Sequence, residues 1–365
     1  MLSPTYEYCQ FGTDCADCGP RIAFEEDADT AALRAALWNL PEGANFTAVL
    51  PVGHEYVLGG SPLAILPGRT ITIRAADEGD GPPPVISGRG LSRLFNVRGS
   101  LHLKGVHLVD GRAAQSVGSD DIGSVGGAIL VLRQASIVLE RVLIANCTAA
   151  EALNADMPAL GGALFLYRRA SAALINSTIV GCTARAAKRA MGGAIYAENA
   201  ALSMTGGEIR DCAATIGDGT VSQTANCVGT GLALQLASGG AITTGRTSLS
   251  YAVYTNVTDV TIAGCTALSP DMSKGGAIYS FGYEDGADLT LTRIIFHGCK
   301  SLAHQSAKGG AVSHEGHALI VESSTITGAP CCMARCARHT RVRTRKLRIT
   351  DATCPPRCTQ IATPG

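Results

Sequence analysis

The sequence predicts an all-β fold, a parallel β-helix whose N-terminal end is capped by a short α-helix. Three observations predict it. A Gly-Gly-Ala triplet followed by Ile, Leu or Val recurs at Gly126, Gly161, Gly192, Gly239, Gly275 and Gly309. A second landmark, an apolar anchor three positions before a cysteine, recurs between the triplets. Mostly apolar residues alternate with more polar ones seven and five positions before each anchor, which is the period of a β-strand.

Each repeat is therefore predicted to contain three short strands: one at the triplet, one on the alternating run and one ending at the cysteine. The pairs of anchor and cysteine are Ile144 and Cys147, Ile179 and Cys182, Ile209 and Cys212, Ile262 and Cys265, and Phe296 and Cys299. Cysteines on successive coils predict a column of buried free thiols, since side chains in register point the same way and bond to each other poorly. The residues between each cysteine and the next triplet vary in number, which predicts loops that leave one corner.

Regular repeats extend over residues 101–328, and the whole β-helix domain is predicted to span residues 22–328. The glycines suit a tight corner, where positive φ or close backbone approach favours Gly. Residues 29–40 are predicted to form the capping helix. Asp29 or Thr30 would be its N-cap, and Leu33, Leu37 and Leu40 would share one face over the first coil.

The triplets and an F-x-x-N-like second landmark resemble the repeats of polymorphic outer membrane proteins, which belong to the pectin-lyase-like right-handed parallel β-helices. The resemblance covers about residues 45–328. Ile usually replaces the Phe of the second landmark, and Cys replaces its Asn. The resemblance implies a right-handed β-helix whose role is surface display and adhesion.

The two ends differ from the repeats. Residues 1–21 are predicted to be a partial cysteine-rich module, because "CQFGTDCADCGPR" resembles the end of a lin-notch-type repeat. That resemblance implies calcium ligands at Asp14 and Asp17; the alternative is an acidic, disulfide-bonded remnant. Residues 329–365 are basic and contain cysteines, and we expect them to be disordered or out of the native reading frame and not to pack on the last coil. Zinc or RNA binding by this tail is the alternative.

Outward strand positions provide little for catalysis. They carry Lys104, Glu140, Ile175, Thr205, Thr258, Thr292 and Glu322. Glu198 and Glu315 occupy matching places, but three coils separate them, about 14 Å at roughly 4.8 Å per coil, which is too wide for a carboxylate pair. The sequence therefore favours a non-enzymatic role in adhesion, in glycan binding or as a structural spacer. The alternative is a carbohydrate-active enzyme, a polysaccharide lyase or hydrolase of the pectin-lyase-like fold.

Candidate binding residues follow one position of the repeat. Phe165, Tyr196 and Tyr279 lie two residues past the alanine of their triplets, where they would form a glycan-stacking stripe or, alternatively, stack inward. Four asparagines, Asn45, Asn146, Asn176 and Asn256, begin N-glycosylation sequons. No cofactor is predicted beyond calcium at the N-terminal module.

Charge and hydropathy bear on location. The formal net charge of zero provides no field that would steer the chain to nucleic acid, and no run is long enough for a transmembrane helix. The first residues lack the basic start and apolar core of a signal peptide. We expect an extracellular or cell-surface chain, part of a larger membrane-anchored protein, whose partners are glycans or cell-surface proteins.

Overall fold

Parallel strands stack coil upon coil along the whole repeat region, so the chain forms an all-β parallel β-solenoid with one short α-helix near its N-terminus. The computed structural model describes residues 26–76, 81–113, 124–150, 157–217, 236–247, 253–282, 287–303, 306–315, 318–328, 333–335 and 341–350. Successive coils pair in register, so each position of the repeat becomes a straight column of side chains.

Two stretches of each coil form sheet A, on the alternating run and on the anchor. The alternating runs are Asn45–Leu50, Thr70–Ala75, Ser100–Lys104, Ser136–Glu140, Ser171–Val180, Ala201–Arg210, Val253–Thr258, Ala287–Thr292, Ala318–Glu322 and Arg341–Arg345. The anchor strands are Glu55–Val57, Val85–Ser87, His107–Val109, Leu143–Ala145, Thr261–Ala263, Ile295–His297, Thr325–Thr327 and Arg348–Thr350. Ser171–Val180 and Ala201–Arg210 are long enough to include both stretches.

Three further sheets complete the architecture. Sheet B comprises Leu63–Ile65, Phe95–Val97, Ile129–Val131, Leu164–Tyr167, Ile195–Glu198, Ile242–Arg246, Ile278–Gly282, Val312–Glu315 and Met333–Arg335. Sheet C comprises Arg112–Ala113, Thr148–Ala150, Thr183–Ala186, Ala213–Ile216, Thr266–Ser269 and Lys300–Ala303. Sheet D comprises Ser124–Val125, Ala159–Leu160, Arg189–Met191, Leu236–Ser238, Met272–Lys274 and Ser306–Lys308.

The core lies inside sheets A and B, and the period of two determines which side chains reach it. The predicted inward positions are buried in every coil, including Ile137 and Leu139 on one run and Leu289 and Leu291 on another. The one polar member, Thr255, is also fully buried. The outward residues that the sequence identified, from Lys104 to Glu322, form one column.

Each coil closes at a narrow neck, where the glycine pair meets the residue after the cysteine. The first glycine turns the chain with positive φ, as predicted; φ is +66° at Gly192. The second glycine allows the backbones to touch: a Cβ on Gly193 would lie 2.5 Å from the backbone nitrogen of Ala213. A side chain at this second position would hold the coil open.

The predicted cysteine column is confirmed. Cys147, Cys182, Cys212, Cys265 and Cys299 are all free and fully buried, one above another. The backbone nitrogen of Cys147 donates to Sγ of Cys182 at 3.4 Å. Gly111, at the cysteine position of an earlier coil, donates its backbone N–H to Sγ of Cys147 at 3.3 Å.

The segments between the neck and the next glycine pair differ from the prediction, which treated them as loops. Their two ends are strands, and these strands stack into sheets C and D. The two sheets contact each other and form a thin projection, which we call the fin. Its interior is a second core, built mainly of alanines: Ala113, Ala149, Ala159, Ala184, Ala186, Ala190, Ala214, Ile216 and Ala237. Stacking explains the difference, because neighbouring coils satisfy the backbone hydrogen bonds of these segments.

The predicted cap is present as helix α1, Ala28–Trp38, and its N-cap is Asp27 rather than Asp29 or Thr30. The Asp27 carboxylate accepts from the backbone nitrogen of Thr30 at 2.7 Å and from that of Val57 at 2.9 Å, so it also ties the helix to the first coil. Leu33 and Leu37 are buried in the main core, and Leu40 packs against it.

The prediction that residues after Gly328 do not pack on the last coil is wrong for the part that the structure describes. Met333–Arg335, Arg341–Arg345 and Arg348–Thr350 pair in register with the coil before them. Val342 and Thr344 lie seven and five positions before Ile349, which is the spacing of the regular repeats over residues 101–328. The signal was therefore in the sequence, without a triplet or cysteine to draw attention to it.

Candidate ligand-binding corner

The outer face of sheet B meets the adjacent face of sheet D along the solenoid, and we call this junction the outer corner. Two rows of side chains from sheet B line it, because residues two apart on a strand point to the same side. The inner row, beside the fin, runs Leu130, Phe165, Tyr196, Thr243, Tyr279 and Ser313. The outer row includes Tyr167, Glu198, Gly245, Phe281 and Glu315.

The inner row contains the predicted glycan-stacking residues, and it is closed. Phe165 is fully buried, and Tyr196 and Tyr279 are each 4% exposed. The rings of Phe165 and Tyr196 stack on each other with centroids 5.5 Å apart and planes 6° apart. Val125, Leu130 and Leu160 pack around these two rings. The three predicted rings are therefore buried, but Phe165 and Tyr196 belong to a cluster separate from the main core, so they pack against sheet D and do not stack inward as the alternative expected.

The outer row is the one that a ligand could reach, and it pairs rings with carboxylates. Tyr167 is half-buried and lies one coil from Glu198; Phe281 is half-buried and lies one coil from Glu315. The ring of Phe281 lies directly against Gly245, where a Cβ atom would overlap it, so glycine makes room for this ring. Sequence reasoning chose the wrong row by two residues, and the strand period was the signal that could have found the right one.

Both rings of the outer row are held in place. Tyr167 stacks on Phe165 with centroids 5.9 Å apart, and the guanidinium carbon of Arg168 lies 4.9 Å from its centroid. Phe281 stacks on Tyr279 at 5.3 Å. Ordered rings lose little entropy when a planar ligand face packs on them, so these two positions are preorganised for stacking.

One cationic side chain from the fin joins the corner. Lys274 Nζ lies 2.8 Å from Glu315 Oε1 and donates to Tyr279 Oη at 3.2 Å. Tyr279 Oη in turn donates to Glu315 Oε2 at 2.8 Å. The side chains of Lys274 and Glu315 are 13% and 22% exposed, so this network is partly shielded from water. It orients the Glu315 carboxylate at the mouth of the corner.

At the other carboxylate, Thr247 Oγ1 donates to Glu198 Oε1 at 3.0 Å. Burial, reinforced by the charge of Glu198, raises the pKa of Tyr196, so this phenol stays neutral. The register confirms that Glu198 and Glu315 are three coils apart, through Gly245 and Phe281. Acid–base catalysis by these two carboxylates on one glycosidic bond is therefore geometrically excluded.

The predicted glycosylation and calcium sites lie outside the corner. All four sequon asparagines, Asn45, Asn146, Asn176 and Asn256, have exposed side chains. Asp14 and Asp17 lie outside the described residues. Within the described ranges, no three His, Cys, Asp or Glu side chains come together as a group that could hold a metal ion. The helix in that part of the chain is too short to cross a membrane.

A scan against protein-family models, a search of curated proteins and a search of solved structures all found no match to this chain.

Proposed function

We propose that this chain is a non-enzymatic solenoid of an extracellular or cell-surface protein and that it binds glycans in the outer corner. The observation that carries the proposal is that the outer row twice places a half-buried aromatic ring in register with a carboxylate on the next coil. The two pairs are Tyr167 with Glu198 and Phe281 with Glu315. Sugar rings present C–H faces that pack on aromatic rings, and their hydroxyls donate hydrogen bonds to carboxylates.

The two ring–carboxylate pairs are separated by three coils, about 14 Å at roughly 4.8 Å per coil. A linear oligosaccharide lying along the solenoid axis could contact both pairs at once. Lys274 neutralises Glu315, and Arg168 lies on Tyr167 beside Glu198, so the corner carries no excess charge and the favoured ligand for this site is a neutral oligosaccharide. Engaging two pairs on one chain strengthens binding without any new contact, because the second contact is intramolecular.

Surface location is part of the same proposal. The repeats resemble those of polymorphic outer membrane proteins, whose role is display and adhesion, and the four sequon asparagines are exposed on the solenoid. If the chain passes through a eukaryotic secretory route, these asparagines should carry glycans. A mass shift on enzymatic deglycosylation, lost in the Asn→Gln variants, tests this directly.

Binding is tested with a panel of immobilised neutral and acidic oligosaccharides. We expect retention of a neutral chain and a weaker complex in Tyr167→Ala and Phe281→Ala, each losing about 1 kcal/mol or roughly fivefold in affinity. Tyr254→Ala is the matched control, since Tyr254 is 54% exposed but lies on sheet A. Equal losses in all three variants would contradict a site in the corner. No retention of any sugar would leave the structural spacer as the better description.

The second candidate is the polysaccharide lyase or hydrolase. The network of Lys274, Tyr279 and Glu315 favours it, because a hydrogen-bonded cation, phenol and carboxylate are groups that such enzymes use. Polygalacturonan and other acidic glycans, incubated with and without calcium, separate the candidates. Release of products that stops in Lys274→Met would establish the enzyme, whereas retention without turnover supports adhesion.

A further inference from the structure

The last described coil carries an exposed basic surface on sheet A, which we call the basic coil face. Arg343 and Arg345 pair with Ile320 and Glu322, which places them in the outward columns of the sheet. Lys346 turns the chain with φ +54°, and Arg348 follows on the anchor strand. All four side chains are exposed, so four cations occupy six consecutive positions on one side of the molecule.

Cations at other coils of sheet A form ion pairs with carboxylates, as two examples show. Lys104 Nζ lies 3.2 Å from Glu140, and Arg293 Nε lies 2.5 Å from Asp259. In the described part of the chain, no carboxylate lies within salt-bridge distance of the four cations of the basic coil face. Their mutual repulsion opposes folding of this coil, and a bound polyanion would remove that repulsion.

The spacing of these cations suits a linear ligand. Arg343 and Arg345 are about 7 Å apart along an extended strand, and Arg348 continues the line onto the next strand. The coil beneath presents Ile320, Glu322 and Thr325 in register with Arg343, Arg345 and Arg348, and all three arginine side chains are exposed. Guanidinium groups bind carboxylate and sulfate oxygens in bidentate fashion, which a row of ammonium groups would do less well.

The same surface belongs to the last described strands of the solenoid. Among the described strands, Arg341–Arg345 and Arg348–Thr350 each pair with one neighbour, and Ile349 is 46% exposed at this end. Two copies of the chain meeting end to end would bring eight cations together, so charge opposes self-pairing here. An anionic partner meets no such obstacle.

We propose that the basic coil face binds a linear anionic polysaccharide, carboxylated or sulfated, at a site separate from the outer corner. A nucleic acid would carry the same charge but also expose bases. The described residues of this coil, 333–335 and 341–350, include no aromatic side chain on which bases could stack. A polymer read only through its charges and its linear shape fits the surface better.

The test uses the full chain and fluorescently labelled polygalacturonate, with dextran sulfate, neutral dextran and a single-stranded oligonucleotide of equal charge as comparison probes. We expect binding of the two anionic polysaccharides and none of neutral dextran. Affinity should fall at least tenfold when NaCl is raised from about 50 to about 200 mM, because exposed charges are screened.

The decisive variant is the triple substitution Arg343→Gln, Arg345→Gln and Arg348→Gln, which should weaken polygalacturonate binding at least tenfold. The control triple, Arg112→Gln, Arg133→Gln and Lys300→Gln, changes the net charge equally by replacing exposed cations on other parts of the solenoid. It should weaken binding less than twofold. Similar losses in both triples would show that net charge alone binds the polymer and would overturn the proposal.

Two further outcomes are informative. Tighter binding of the oligonucleotide than of polygalacturonate would overturn the assignment to polysaccharides. Tyr167→Ala with Phe281→Ala should leave polygalacturonate binding unchanged, so a failure of the corner and a failure of the basic coil face are distinguishable. Loss of polygalacturonate binding in that double variant would place the anionic ligand in the corner and contradict a separate site.

Discussion

The position that a Cβ on Gly162 would occupy lies 2.5 Å from the backbone nitrogen of Thr183, the residue at which the same coil closes. The approach repeats at each neck and is possible only because the second glycine of the triplet has no side chain. φ at Gly162 is not positive, so glycine is needed there because a side chain would not fit. Gly161 before it has φ +66°, a conformation that favours glycine. The two glycines of each triplet therefore have different physical roles.

Gly162→Ala should destabilise the protein by about 1–3 kcal/mol, because the methyl group forces the neck apart. Gly298→Ala is the control: Gly298 has φ +60° and nothing within 4 Å of its Cβ position, so it reports backbone strain alone. Urea unfolding gives both free energies, and hydrogen exchange should show faster opening across residues 157–217 in Gly162→Ala only. A smaller effect in Gly162→Ala than in the control would contradict the neck.

The cysteine column should make stability fall at high pH. Burial raises the pKa of Cys182, and the hydrogen bond that each thiol donates to the thiol of the coil before, together with burial, raises the pKa values of Cys212, Cys265 and Cys299. A thiol whose pKa is higher in the folded state contributes its full stability below the unfolded pKa, near 9.0. That stability is lost as the pH rises above this value, by about 1.4 kcal/mol per pH unit for each thiol.

Thermal unfolding between pH 8 and pH 10.5 measures this slope. The triple variant Cys182→Ala, Cys212→Ala and Cys265→Ala should be less stable at pH 8 but should lose less stability above pH 9. Alkylation of the wild-type chain should require denaturant, since the thiols are buried. An equal slope in the triple variant, or a disulfide between Cys147 and Cys182 in most molecules, would contradict a column of inert thiols.

Arg93 binds the carbonyl groups at the end of Ser124–Val125, the first strand of sheet D. Its guanidinium donates to the carbonyl of Val125 at 2.6 Å, to that of Gly126 at 3.0 Å and to Asn96 Oδ1 at 3.0 Å. Burial lowers the pKa of Arg93 to about 10. Arg93→Met should lower the free energy of unfolding by about 2–3 kcal/mol, because it leaves two backbone carbonyls and the Asn96 amide oxygen without a donor at the first strand of sheet D.

Arg93→Lys should restore little of this stability, because one ammonium group cannot reach all three acceptors in the geometry of a planar guanidinium. Arg89→Met is the matched control: Arg89 pairs with Glu55 at the surface, where its loss should matter little. Chemical denaturation compares the three variants. Equal stability of Arg93→Met and Arg89→Met would show that the edge of the fin does not depend on Arg93.

The last coil should be folded and should protect the coil beneath it. Backbone amides of residues 341–350 should exchange slowly, because these strands pair with Ala318–Glu322 and Thr325–Thr327. A chain ending at Gly328 should self-associate, since it exposes the unpaired strand edges of Ala318–Glu322 and Thr325–Thr327. Exchange mass spectrometry and light scattering measure the two effects. Rapid exchange over residues 341–350 with protection over 318–328 would restore the original prediction of an unpacked tail.

The sequence alone determined the coil. The spacing of triplet, alternating run, anchor and cysteine reappears in five successive coils, from the coil of Cys147 to that of Cys299, and parallel strands in register convert this sequence period into columns. The buried side chains, the free thiols, the positive φ of the first glycine and the helical cap could therefore be predicted. The N-cap could not, because the choice of Asp27 depends on Val57, a partner that folding brings near.

Only the tertiary structure decided the rest. The fin forms where the strands of sheets C and D pack together across a layer of alanines. The alanines of these segments show no strand period in the sequence, so the sequence did not distinguish buried strands from loops. Access in the outer corner depends on how sheet D covers Phe165 and Tyr196 while leaving Tyr167 and Phe281 half-open. The basic coil joins the solenoid because its backbone pairs with the coil before it; the spacing of Val342, Thr344 and Ile349 indicates this pairing, but neither a triplet nor a cysteine marks it.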